Sequence, residues 1–368
     1  MQFIDLKQQY QKLKNNIDKS IKNVIDDGSF IQGDQVKNLE RRLSDYIGGG
    51  YCISCANGTD ALYVALRALN VKSGDEVIVP SFTWVSTAEV VKLLDAVPVF
   101  ADIDQNTFNI SVEDISKKIT PKTKAIIPVS IFGRACELIE ICNLAKEKGI
   151  FVIEDSAQGF GSKYKGIMSC SYADISTTSF FPAKPLGCYG DGGAIFTPHK
   201  DLSERINIIT KHGQRGRYNY IDIGVNSRLD TIQAAILLEK LEIYEEEIDK
   251  RNKVAKLYQE LITHDLLTLP SIGCDENRSV WAQYTVLLDE SIMHYRLEIM
   301  GKLKEKNIPS ALYYPAPLHL QKPYFTGQKL EITENVADRV LSLPMHPYLN
   351  EDEIKYISSE LISIIEKY

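Results

Sequence analysis

From residue 51 onward the chain repeats one pattern: a few apolar residues, a turn of small or polar residues, then an amphipathic run. Apolar stretches at 51–55, 77–79, 97–100, 125–129 and 151–153 alternate with helical patterns at 59–69, 86–94, 111–119 and 137–148. Strands that are apolar on both faces need cover on both faces, and intervening helices supply it. The pattern therefore predicts a mostly parallel sheet between two helical layers. Further strands are expected at 175–179 and 193–197. Ahead of the repeat, Leu6, Tyr10, Leu13, Ile17, Ile21 and Val24 fall three or four apart, which reads as an amphipathic helix. A second helix at 35–46 ends at the glycines 48–50. After the repeat, 230–257 reads as a long helical connector with a break inside. The rest mixes a strand at 284–288 with helices at 294–304 and 351–367. The division expected is a helical segment at 1–30, a large α/β domain at 31–245 and a small α+β domain at 246–368.

Composition narrows the function. The 368 residues carry 49 acidic and 42 basic side chains, a net charge of −7 with no basic stripe, which argues against a nucleic-acid binder. No apolar run approaches the roughly 20 residues needed to span a bilayer, and the polar first ten residues lack the apolar region of a secretory signal. Seven scattered cysteines read as reduced thiols, so the cytoplasm is expected. Cys52 and Cys55 have CxxC spacing but no second pair, so no metal site is expected. A phosphorylated small molecule remains compatible, because local donors bind it whatever the net charge.

Four segments could carry chemistry. In Ser179-Phe180-Phe181-Pro182-Ala183-Lys184-Pro185-Leu186-Gly187, a lysine stands just past a strand end among apolar residues. A desolvated amine there would be nucleophilic near neutral pH. A surface lysine in a Pro-rich turn fits the same residues. In Glu154-Asp155-Ser156-Ala157-Gln158, an acid ends an apolar strand, where open α/β sheets bind ligands; a turn-capping acid is the alternative. Asn57-Gly58-Thr59-Asp60 leads into a helix whose first amides suit an anion, although Thr59 or Asp60 could simply cap it. Trp84 follows a strand and could stack on a flat ring or fill the core. Arg228, Tyr314 and His319 lie in polar or Pro-rich loops that could meet a substrate.

Together these segments, with Pro80-Ser81-Phe82-Thr83-Trp84, Gly190-Asp191-Gly192-Gly193, Asn226-Ser227-Arg228-Leu229-Asp230 and Tyr314-Pro315-Ala316-Pro317-Leu318-His319, resemble the DegT/DnrJ/EryC1/StrS sugar aminotransferases. The resemblance runs over nearly the whole chain. It implies the fold of type I pyridoxal-phosphate (PLP) transferases, a mostly parallel seven-stranded sheet in a large domain beside a smaller α+β domain. It implies PLP held as a Schiff base on Lys184, Asp155 at the pyridine nitrogen, Gln158 near the ring hydroxyl and Trp84 against the ring. Gly58, Thr59 and Ser179 would hold the phosphate. Asn226 would reach the partner subunit's cofactor in a homodimer with shared sites. The amino donor implied is L-glutamate.

The stretch from Phe181 to Gly193 is most similar to the branch aminating UDP-2-acetamido-2-deoxy-3-oxo-glucuronate for surface polysaccharide such as the O-antigen of lipopolysaccharide. Arg228 would then meet the sugar carboxylate, with His319 and Tyr314 beside it. The alternatives are amination at C4 of a UDP- or dTDP-linked 4-keto-6-deoxy sugar or of a keto-cyclitol, and a dehydratase or regulatory member. Dehydratases of the group often carry histidine in place of the lysine, which Lys184 opposes.

Overall fold

The computed structural model describes residues 1–368. Helices α1 (Leu6–Asp27) and α2 (Asp34–Ile47) precede β1 (Tyr51–Cys55). There follow α3 (Gly58–Ala68), β2 (Glu76–Pro80), α4 (Ser86–Lys92), β3 (Val97–Ala101), α5 (Val112–Lys118), β4 (Thr123–Ile126), α6 (Leu138–Lys148) and β5 (Phe151–Asp155). A small hairpin, β6 (Lys163–Tyr164) and β7 (Ile167–Met168), leads to β8 (Ile175–Ser179), β9 (Gly193–Thr197), α7 (Lys200–Thr210), α8 (Thr231–Leu241) and α9 (Tyr244–Leu261). The chain ends with β10 (Leu267–Thr268), β11 (Tyr284–Leu288), α10 (Arg296–Glu305), α11 (Glu331–Arg339), β12 (Val340–Leu343) and α12 (Glu351–Ile365).

Seven strands form the large sheet in the order β1-β9-β8-β5-β4-β2-β3. From β8 to β3 all neighbours are parallel. Strand β9 alone runs the other way, antiparallel to both β8 and β1. The cause is its connection. Residues 180–192 form a helix-free loop that turns back at the same edge, and such a turn can only return the chain antiparallel. That loop carries Lys184. One edge of the sheet thus gathers the carboxyl ends of six strands and the start of β9.

The alternation of strand residues sets the two faces. Val77, Val79, Ile153 and Ile175 pack under α3 and α4, while Ile78, Ile126 and Val152 face α5 and α6. Burying each such side chain contributes about 1.5–3 kcal/mol. Phe180, Ala194 and Phe196 extend the second layer toward α2 and α8. The three-stranded antiparallel sheet β10-β11-β12 packs its own cluster around Tyr258, Tyr284 and Leu361.

The break expected in the connector is present, and two other expectations shift. The connector at 230–257 divides into α8 and α9 at Glu242 and Ile243. The strand expected at 125–129 ends at Ile126; Ile127 N–H still donates to Ile78 O at 2.8 Å, but Pro128 has no N–H to continue. Helix α7 and the β6–β7 hairpin were not foreseen. The boundary expected at 245/246 falls at the start of α9, whose side chains change sides further on: Ile248 packs in the large-sheet layer and Val254 in the small cluster. Helix α1 lies on α8 through Leu13, Ile17 and Ile236.

Candidate active site

The lysine loop is held by its own backbone. Phe180 N–H donates to Gly192 O, Lys184 N–H to Phe181 O and Cys188 N–H to Phe180 O, each at 2.8 Å. The fold-back is so tight that a Cβ on Gly187 would lie 2.6 Å from Phe181 O and Pro182 O. From below, the buried Lys240 of α8 donates to Gly187 O at 2.6 Å and sits over the Tyr189 ring. Within this frame the Lys184 side chain points inward. Burial pushes its pKa down, Asp155 partly offsets that, and no protein group hydrogen-bonds to the amine.

Asp155, at the end of β5, is 6% exposed. Its carboxylate accepts from Ala157 N–H at 3.0 Å and from Thr87 Oγ1 at 3.3 Å. Burial raises its pKa; the Ala157 amide, the Lys184 charge and Thr87 pull the other way. A buried carboxylate with so few donors and no contacting cation is costly. A protonated pyridine nitrogen would supply the missing partner, so the residues fit PLP at this end.

They fit it at the phosphate end as well. Asn57, not Thr59 or Asp60, caps α3: its side chain accepts from Asp60 N–H at 2.8 Å. That leaves the Gly58 and Thr59 amides at the helix start without protein acceptors, an arrangement suited to an anion. Thr59 Oγ1 lies 2.7 Å from Ser86 Oγ. A Cβ on Gly58 would come within 2.7 Å of Ser179 Cβ, so only glycine lets the end of β8 approach this helix start. Ser179 Oγ accepts from Phe181 N–H at 3.3 Å.

The walls are aromatic and polar. Trp84, in the β2–α4 loop, is 59% exposed, and its ring centroid lies 6.4 Å from that of Tyr314. Gln158 is buried; it accepts from Phe132 N–H at 2.8 Å and donates to Tyr314 Oη at 2.9 Å. Burial raises the pKa of the Tyr314 phenol, so it stays protonated. Asn226 and Arg228 lie with Ala56, Asn57, Gly190 and Asp191 along an open cleft of about 550 Å³. Ser227 between them is buried and accepts from Ala56 N–H at 3.2 Å, tying this segment to the end of β1.

One expectation is corrected. His319 does not face the cleft: it is fully buried, with one ring nitrogen 2.7 Å from Ser81 Oγ and the other 3.1 Å from Glu334. Both nitrogens are in use, so the side chain has nothing left to offer a substrate. Thr87 and Asn57 were not singled out. Thr87 has no local signal, because its partner Asp155 is 68 positions away. Asn57 had one, a good N-cap residue just before the helical pattern.

Fold and site together place the chain among the fold-type I enzymes that carry a pyridoxal cofactor on a lysine. It belongs to the DegT/DnrJ/EryC1/StrS aminotransferase family, whose model matches residues 11–362. It is 50% identical to the UDP-2-acetamido-2-deoxy-3-oxo-D-glucuronate aminotransferase of Pseudomonas aeruginosa, over 98% of this chain and 99% of that protein. A UDP-N-acetyl-3-dehydro-alpha-D-glucosamine 3-aminotransferase of Acidithiobacillus ferrooxidans is 38% identical, over 97% of this chain and 95% of that one. Among solved structures, a DegT/DnrJ/EryC1/StrS aminotransferase from Brucella abortus superposes with a TM-score of 0.94 at 41% identity, covering 99% of each chain. NtdA of Bacillus subtilis, solved with bound cofactor PMP, gives 0.90 at 31% identity, covering 99% of this chain and 83% of that one.

Proposed function

We propose that this PLP-dependent nucleotide-sugar aminotransferase moves an amino group from L-glutamate to a UDP-linked 3-keto sugar of the 2-acetamido-2-deoxy-3-oxo-glucuronate type. The reaction belongs in the cytoplasm, as a step toward surface polysaccharide. The observation that carries the chemistry is the pairing of an unpartnered, desolvated Lys184 amine with the buried, under-satisfied Asp155 carboxylate. The preference for a 3-keto UDP-sugar rests on the two relatives named above.

Bound PLP supplies an aldehyde that takes up the amino group and a conjugated ring that draws electrons from the reacting carbon. Asp155 holds the proton on the ring nitrogen, which keeps that ring electron-poor. The Gly58 and Thr59 amides and the Thr59 and Ser179 hydroxyls donate to the phosphate. Trp84 covers one face of the ring and keeps water from it, and Gln158 lies by the ring hydroxyl. Burial lowers the Lys184 pKa, which favours the neutral amine that a base needs. Its Nζ takes the proton from the donor's alpha carbon in the first half-reaction and delivers one to sugar C3 in the second. Arg228 meets the sugar carboxylate with a planar pair of donors, and Tyr314 lines the approach.

The working unit is a homodimer, with Asn226 reaching the cofactor phosphate of the partner subunit. The exposed apolar side chains just before Asn226 support this. Tyr218 is 72% exposed and Ile223 78%, with Tyr220 and Ile221 between them. Such a patch is what a monomer buries against another protein surface.

The test is turnover of a panel of 3-keto and 4-keto UDP- and dTDP-sugars with L-glutamate. Turnover of the 3-keto UDP-uronate is expected; turnover confined to 4-keto sugars would move the assignment to C4. Mixing Asn226→Ala and Lys184→Ala subunits should restore part of the activity that each variant lacks. No restoration, with only monomers in solution, would reject the shared site.

A further inference from the structure

Two aromatic side chains at the candidate site come from distant parts of the chain. Trp84 stands in the loop that follows β2, and Tyr314 in the segment that leads to His319. Between them runs a buried polar connection. Ser81 O accepts from Leu318 N–H at 3.0 Å. Ser81 Oγ accepts from His319 N–H at 3.1 Å and lies 2.7 Å from His319 Nδ1. His319 Nε2 lies 3.1 Å from Glu334 at the start of α11. Ser81 is 1% exposed and His319 fully buried, so water does not compete for the contact between them; Glu334 is partly exposed.

The proton positions follow from this geometry. Ser81 Oγ already receives the His319 amide, so its own proton is free for Nδ1. Nδ1 is then the acceptor, and the ring proton sits on Nε2, where it meets the Glu334 carboxylate. Every donor in the chain has an acceptor. In the opposite tautomer Ser81 Oγ could still accept from Nδ1–H, but a bare Nε2 would face the Glu334 carboxylate, lone pair against lone pair, so the Glu334 contact selects Nε2–H.

We propose that His319 is a positioning residue: locked as the Nε2–H tautomer, it fastens the Trp84 loop to the Tyr314 segment and so fixes the spacing of the two rings at the cofactor. The connection reaches the site by short paths. Ser81 is three residues from Trp84 and six from Thr87, the donor to Asp155. His319 is five residues from Tyr314, which receives the Gln158 amide. Glu334 also accepts from Leu330 N–H at 2.9 Å, so the far end is anchored on α11. The inference rests on the proposed cofactor site.

The test has two parts. Nitrogen-15 NMR of the histidine rings in the free protein reads the tautomer directly. An unprotonated, hydrogen-bonded Nδ1 with a protonated Nε2 is expected at neutral pH, and a protonated Nδ1 overturns the wiring. Ser81→Ala and His319→Gln are then compared with His319→Asn. Glutamine keeps the reach to Glu334 and loses the acceptor for Ser81. Asparagine keeps an acceptor near Nδ1 and loses Glu334. PLP uptake, followed by the visible band of the bound cofactor, should weaken about tenfold or more in Ser81→Ala and His319→Gln, and asparagine should rescue most of it. Folded variants with unchanged uptake and band, or equal losses in the asparagine and glutamine variants, overturn the proposal. If the serine and glutamine variants do not fold, the NMR result on the native protein still decides the wiring. Wild-type protein that takes up no PLP would reject the cofactor site itself, a different outcome from wild-type uptake with insensitive variants.

Discussion

Glu154 and Asp155 are neighbours on one strand and face opposite ways. Glu154 is fully buried and accepts from Ser169 Oγ at 2.7 Å, Cys170 N–H at 2.8 Å, Ser176 Oγ at 3.2 Å and Ser130 Oγ at 3.4 Å. Asp155 has one amide and one long hydroxyl contact. Two lysines differ in the same way, the buried Lys240 and the half-buried Lys184. Lys240 is held by Gly187 O and the Tyr189 ring, whereas the Lys184 amine is held by nothing. In each pair a satisfied group secures the frame, and one of the same kind at the candidate site has fewer partners. Binding capacity left unspent within the protein is what a ligand can use.

This contrast can be broken in order of expected effect. Lys184→Ala removes the only amine at the cleft and should lower turnover by about three orders of magnitude or more. The isolated protein should melt no lower than wild type, since a desolvated, unpartnered group has been lost. Steady-state rates and a thermal scan without PLP check both halves. Glu154→Leu should do the reverse. It strands Ser176 and the Cys170 amide without an acceptor and should cost about 3–5 kcal/mol in urea unfolding. Asp155→Leu in the same assay should cost far less, while abolishing activity.

Smaller effects come from titration. Burial lowers the Lys240 pKa to about 8. A lysine depressed in the folded state contributes stability that is present above the unfolded pKa of about 10.4 and lost as pH falls through the folded value. Stability should therefore fall by about 1–3 kcal/mol between pH 10.5 and 7.5, and Lys240→Met should flatten that slope. The Asp155 term has the opposite sign. Its pKa is raised on folding, so its contribution is fully present below the unfolded carboxyl range and lost as pH rises through the folded value. In protein without PLP, Asp155→Asn should remove part of that decline in urea midpoints taken upward from pH 4. Glu154 and Glu137, whose pKa values burial also raises, contribute with the same sign.

The strands at 51–55, 175–179, 193–197 and 284–288 were legible residue by residue, because apolar runs bounded by turn residues are local signals. The break at Glu242 and Ile243 was legible only as a suspicion, since the apolar spacing runs on through it. At the site, Lys184 and Asp155 were readable from their places beyond and at strand ends and Gly58 from the helix it opens, while Ser179 came only with the family resemblance; the structure brings all four to one edge. Asn57 could have been preferred as the cap from its position alone. His319 was misread because its Pro-rich neighbourhood looks like an exposed loop; nothing near residue 319 announces a serine 238 positions earlier.

Periodicity, turn residues and the lone lysine beyond a strand were thus written in the chain, because each depends on neighbours a few positions away. The strand order, the antiparallel return that carries Lys184 and the approach of Gly58 to Ser179 needed the folded molecule. So did the choice of which buried charge would be satisfied and which left open. Those outcomes depend on partners brought together across the fold, and a hydrogen bond has no preference for residues that are close in sequence.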